Sequence, residues 1–113
     1  IFSREIVDEN KIPDFFVNLT NDSWFGISSG PYQHLQSARM RSIEYSRPLI
    51  RVAQTGISAN INHFGEVVDK INLNEKAIID VDIYKNELLS IYAKYSQLPL
   101  VIVIISLLLL VII

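Results

Sequence analysis

The sequence contains no cysteine. Within these residues that excludes disulfides, thiolate metal sites and a cysteine nucleophile. Histidine is scarce: His34 and His63 fall on different predicted elements, with no H-x-x-x-H or H-E-x-x-H spacing to suggest a metal. Capping or surface positions are the default for both, and no cofactor motif is present. An excess of positive charge is missing too. Ten Lys and Arg stand against twelve Asp and Glu, for a net charge of −2 and a pI near 5.6. A dedicated nucleic-acid binder usually carries a strongly basic footprint, so nucleic acid is not expected as a partner. Charge of either sign is absent from the C-terminal end: every charged residue lies between Arg4 and Lys94.

What is present is apolar. Half of the 113 residues are hydrophobic and the mean hydropathy is +0.28, which excludes a disordered polymer and leaves room for one small domain. From Leu98 the chain reads LPLVIVIISLLLLVII, broken only by Pro99 and Ser106. As a helix this run would reach about 24 Å, short of the roughly 30 Å hydrocarbon core. A buried core helix is one reading. The run has no polar face, however, and the preceding residues could hardly enclose it. Residues 95–113 are therefore read as a transmembrane segment, with Tyr92 and Tyr95 at the interface and Lys94 beside the headgroups. The start at Ile1, the lack of a signal-peptide pattern and the apolar end together suggest a piece of a longer protein.

Along residues 1–94, Phe2 to Asn10 is short and amphipathic. FFVNLT (Phe15 to Thr20) has the β-branched and aromatic content of a strand. NDSWFGISSG is a turn-rich, structured loop, and Pro31 sits where a first helical residue would, with Ser28, Ser29 or Gly30 as cap. Pro31 to Arg47 is the strongest helix. Leu35, Tyr32, Ile43 and Met40 fall within an arc of about 140°, with Arg39 in its middle. An arginine there is either a structural ion pair or part of a pocket wall. Pro48 ends the helix. LIRVAQT (Leu49 to Thr55) reads as a strand, ISANINH and VVDKI as a hairpin turning at His63 to Glu66 with Gly65 at positive φ, and AIIDVDI (Ala77 to Ile83) as a further strand. The sum is an α/β layer with too little helix to cover both faces of its sheet.

Gly26-Ile27-Ser28-Ser29-Gly30 matches G-x-S-x-G. A nucleophile elbow needs a strand running straight into the serine, and here a loop intervenes, so the match is treated as chance. Arg39, Arg41, Arg47 and Arg51 make Pro31 to Val52 net positive. They lack the aromatic interleaving of a base-stacking surface, and the apolar tail leaves an anionic headgroup at a membrane surface as an open alternative. The loop Asn18 to Gly26 holds the most information. Asn21 and Asp22 suit a tight turn, and Trp24 with Phe25 offers two large apolar faces. They either wall a binding site or plug the core.

NLTNDSWFG followed by GPYQHLQSARMRSIEYSRPLIRVAQTGISANINHFGEVV resembles the C-terminal part of the apolipoprotein N-acyltransferases, bacterial membrane enzymes with a nitrilase-like domain. N-D-x-W-F-G, G-P-x-Q-H and A-R-M-R in this order make the resemblance specific. It implies that residues 1–94 are the C-terminal third of a nitrilase-like (carbon-nitrogen hydrolase) αββα sandwich, followed by a transmembrane helix. It further implies the inner membrane, with residues 1–94 facing the periplasm. The implied reaction moves an acyl chain from a phospholipid to the N-terminal cysteine amine of an apolipoprotein through an enzyme thioester. The family's cysteine, in a cysteine-aromatic-glutamate motif, lies just before the segment matching Ile1, and its glutamate and lysine lie further upstream. Lys11, Lys70, Lys76, Lys85 and Lys94 do not match that lysine. No catalytic residue is therefore assigned here. The resemblance implies pocket-wall roles for Asn21, Asp22, Trp24 and Phe25 on the loop and for His34 and Arg39, beside Pro31 and Gln33, on the helix. Two functions follow: a segment active only with its missing N-terminal part, or a catalytically dead, membrane-anchored binding remnant.

Overall fold

The computed structural model describes Val7 and residues 11–112. Apart from Val7, the amphipathic reading of Phe2 to Asn10 lies outside the described residues. Strand β1 (Phe16–Asn21) leads through a short 3-10 turn (Ser23–Phe25) into helix α1 (Gly30–Tyr45), which returns the chain to β2 (Leu49–Gln54). β1 and β2 pair in parallel, with Asn18 opposite Arg51, so β1–α1–β2 is one β-α-β unit. β3 (Ser58–Ile61) and β4 (Val67–Ile71) then add antiparallel, giving a four-stranded sheet in sequence order. The β3–β4 turn falls where expected, with Gly65 at φ 81°.

Helix α1 packs on one face of the sheet. Its buried residues are Pro31, Leu35, Ala38, Ser42 and Tyr45, a stripe only about 80° wide at 100° per residue. Leu35 and Ala38 meet Leu49, Ile57, Ala59 and Ile61 in the core, and Tyr45 closes one end edge-to-face on Phe16. The expected apolar arc is therefore displaced: Tyr32, Met40 and Ile43 are exposed, and small Ala38 and Ser42 let the helix approach the strands instead. The helix stops at Tyr45. Ser46 takes the left-handed conformation and donates its N–H back to the carbonyls of Ser42 and Ile43. Pro48 follows two residues later.

Two expectations need correction. Residues 77–83 form no strand; the segment passes along the free face of β2 and β3, and no hydrogen bond engages its backbone among the described residues. The alternation of AIIDVDI is a strand's, but without a pairing edge there is no ladder. The C-terminal end forms α2 (Ile91–Tyr95), capped by the Ser90 hydroxyl, and α3 (Leu98–Ile112). At fifteen residues α3 is about 22 Å long. Among the described residues no helix is long and apolar enough to cross a membrane, so the expected transmembrane helix is not found.

Candidate functional site

The end of β1 runs into a cluster that the sequence reading saw only in part. Asp22 is the hinge. Its N–H donates to the Gln54 carbonyl at 3.2 Å, continuing the β1–β2 pairing, and its carbonyl accepts the Phe25 N–H at 3.0 Å, closing the 3-10 turn. The Asn21 side chain accepts the Ser23 N–H at 3.0 Å, an Asx turn of the kind that Asn supplies.

The Asp22 side chain is wholly buried and each oxygen has its own partner. Oδ2 accepts Arg51 Nη2 at 2.8 Å, and Oδ1 lies 2.8 Å from His34 Nδ1 and 3.5 Å from the Thr20 hydroxyl. A carboxylate only accepts, so His34 holds its hydrogen on Nδ1 toward Asp22. Arg51, also wholly buried, spends the rest of its fork on Asn18 Oδ1 at 2.5 Å and the Ile57 carbonyl at 3.2 Å. The arrangement meets the requirement that a buried charge be both paired and hydrogen-bonded. It joins β1, β2, α1 and the β2–β3 turn in one network.

Two glycines make room for it. A Cβ on Gly56 would sit well inside van der Waals distance of Asp22 Oδ2, and one on Gly30 would strike the Phe25 ring. Phe25 therefore lies over the start of α1, with its ring edge-to-face on His34 at 5.9 Å. Trp24 does not plug the core: it is 74% exposed, Phe25 39%, and Ile27 is almost fully exposed beside them. The Ser28 hydroxyl donates to the Phe25 carbonyl at 2.7 Å and accepts the Gly30 N–H at 3.1 Å, a loop-closing role that accounts for this serine.

Of the six expected site residues, the structure brings Asn21, Asp22, Trp24, Phe25 and His34 together. Arg39 is tied elsewhere. Its Nε donates to the Gly65 carbonyl at 2.7 Å and Nη1 to Gln36 at 2.8 Å, so it pins the β3–β4 turn to α1 and forms no ion pair among the described residues. Sequence reasoning counted Arg51 only as one of four arginines and Asn18 only as the start of the loop, and saw no link between them. The signal was parity: in LIRVAQ, Arg51 shares the inward side with Leu49, and a charge on the buried side of a strand demands a partner. Among the described residues no group of three or more His, Asp or Glu is placed to hold a metal.

What the cluster offers is a loop anchored at Asp22, with uncharged residues from Ser23 to Gly30 and aromatic faces toward solvent. The chain matches the Carbon-nitrogen hydrolase family over residues 9–91. It is 48% identical over 99 residues to the apolipoprotein N-acyltransferase of Rhodopseudomonas palustris, covering 88% of this chain and 18% of that protein. The same figures hold for the enzyme of that name from Bradyrhizobium diazoefficiens. The one from Rickettsia bellii is 39% identical over 105 residues, covering 92% of this chain and 21% of the relative. The chain thus spans about a fifth of the length of these curated relatives. The four-stranded sheet with its single crossover helix fits part of a nitrilase-like fold, and the chain belongs to the carbon-nitrogen hydrolase family, with its similarity running to members named apolipoprotein N-acyltransferase.

Proposed function

We propose that the chain is the C-terminal segment of a lipoprotein N-acyltransferase. The enzyme would transfer an acyl chain from a phospholipid to the N-terminal cysteine amine of an apolipoprotein, through a thioester on a cysteine that an upstream segment supplies. The observation that carries this reading is the 48% identity across 88% of the chain to relatives of that name. The loop and its anchoring residues fit a supporting role in such a reaction. An acyl donor brings long apolar chains, and the Trp24–Phe25 loop presents uncharged aromatic surface to meet them. Asp22, His34 and Arg51 fix that surface without offering a nucleophile of their own.

The 113 residues alone transfer nothing on this reading, because no cysteine is present to form the thioester. The sheet face opposite α1 supports the need for a second part. Val17, Leu19 and Val52 are more than half exposed there, an apolar surface that packed domains cover. The test supplies the upstream portion as a separate polypeptide and follows acyl transfer from phospholipid to a diacylated lipopeptide by mass spectrometry. Transfer is expected from the mixture and from neither part alone. A folded, stable complex that stays inactive would overturn the reading in favour of a catalytically dead remnant.

A further inference from the structure

We propose that Arg51 and His34 are positioning residues for the Trp24–Phe25 loop, acting through the buried carboxylate of Asp22. The activity arm of the test below rests on the proposed acyl transfer; the spectroscopic arm does not. Trp24 and Ile27 stand largely in solvent, so little packing of their own holds them. What fixes the loop is its root. Asp22 carries the last bond of the β1–β2 pairing and the first bond of the 3-10 turn on its backbone, while its side chain is gripped from two directions. Arg51 reaches it from β2 and His34 from α1, and Gly56 leaves the space for it. Releasing either grip leaves a buried carboxylate oxygen short of a partner, and the residue turns outward to find water. The loop then loses its posture although the sheet beneath keeps its ladder.

His34 touches the loop in two ways, through the Nδ1 bond to Asp22 and through its ring on Phe25. The proposal assigns the positioning to the bond. The two contacts can be separated. In His34→Asn the amide nitrogen falls near the Nδ1 position, so the bond is kept and the ring is lost. In His34→Leu the apolar bulk against Phe25 is kept and the donor is lost. Both changes are at a part-exposed helix position, where the side chain is 37% accessible, and the dichroism control below separates a loosened loop from a lost fold.

The readout is built in, because Trp24 is the chain's only tryptophan. The full chain in maltoside micelles gives a Trp24 anisotropy and an acrylamide quenching constant, with far-UV circular dichroism as the control for fold. His34→Leu is expected to lower the anisotropy and raise the quenching, with unchanged dichroism, while His34→Asn stays near the parent. Arg51→Lys, which keeps the charge but cannot span Asp22, Asn18 and Ile57 together, is expected to loosen the loop as His34→Leu does. The reverse order for the His34 pair, Asn loosened and Leu tight, would overturn the proposal, as would an unaltered signal in a folded Arg51→Lys chain. If Arg51→Lys loses its dichroism, the His34 pair decides alone.

With the upstream portion added, His34→Leu is expected to lower kcat/KM by roughly 10- to 100-fold, as misplacement of about an ångström does. His34→Asn should largely restore it. A loosened loop with undiminished transfer would refute the positioning role. Absent transfer from the parent mixture, with the fluorescence order as expected, would count against the proposed function and leave the clamp standing.

Discussion

On the α1 side of the sheet, Leu49, Arg51, Ala59 and Ile61 are buried, and every polar group among them has a partner. On the other side Val17, Leu19 and Val52 are apolar and more than half exposed, and residues 75–79 and Val81 share with Ile50, Val52 and Asn60 the lining of a cavity of about 420 Å³. The face that carries the core and its buried ion pair is closed, while the apolar face opposite stays open, which a free-standing domain would cover. The polar network is self-sufficient because all its members come from within about 40 residues of chain, Asn18 to Ile57. The apolar face needs area that these residues do not provide: one crossover helix covers one face only. The side with the buried charges is thus complete in this chain, and the side with none is where a second part would add its surface.

The largest effect is expected from a change on the closed face. Arg51→Met leaves the wholly buried Asp22 carboxylate without its ion-pair partner, and losses of about 3–5 kcal/mol are usual for that. Urea unfolding followed by circular dichroism should show it. Adding Asp22→Leu to Arg51→Met should recover part of the loss, since the stranded charge is what costs most; a double variant no better than the single one would mean that the fork to Asn18 and Ile57 matters more than the pair. Gly56→Ala comes next. Its new methyl meets Asp22 Oδ2 at once, and overpacking of this kind costs about 1–3 kcal/mol. The same unfolding experiment measures it, and Trp24 quenching should rise in step.

Much of this was legible in the residues. Strands at Phe15 to Thr20 and Leu49 to Thr55, the helix behind Pro31 and the hairpin at Gly65 all follow from β-branched content, capping and turn chemistry, which are local properties. What failed is what depends on partners. The pattern AIIDVDI shows which residues suit a strand but not whether an edge is there to pair with, and among the described residues it finds none. The apolar arc of α1 pointed to Tyr32, Met40 and Ile43, whereas the sheet took the narrower side where Ala38 and Ser42 permit close approach. In the site, the loop residues stood out by type, while the link from Arg51 was missed because a sequence gives no direct view of which carboxylate a strand arginine will meet. The final apolar run was seen, and its shortfall against a bilayer was already arithmetic.

The open face is tested by a change that should barely register in isolation. Leu19→Ser removes exposed apolar surface, so the chain alone should unfold within about 0.5 kcal/mol of the parent. With the upstream portion present the same change should weaken association by about tenfold, the worth of a modest apolar burial. Titration calorimetry of the two parts would measure it. Equal association for both would mean that this face stays open in the assembly, and the contrast between the faces would lose its functional meaning.

The smallest effect concerns Glu44, near the end of α1. Burial raises its carboxyl above the ordinary value of 4.5, and the Arg41 guanidinium, 2.7 Å away, pulls in the opposite direction without prevailing. The folded chain therefore holds this proton more tightly than the unfolded chain. Its contribution to stability is fully present below the ordinary value and is lost as pH rises through the raised one. Glu44→Gln removes that titration. It should flatten the stability curve in the window just above pH 4.5, and at neutral pH it should change stability little, since it relieves a partly buried charge while giving up the charge attraction to Arg41. Unfolding midpoints at a series of pH values decide the sign. A parent chain that gains stability across that window relative to Glu44→Gln would show that the Arg41 pair outweighs burial at this end of α1, where the Ser90 hydroxyl donates to the Glu44 carbonyl.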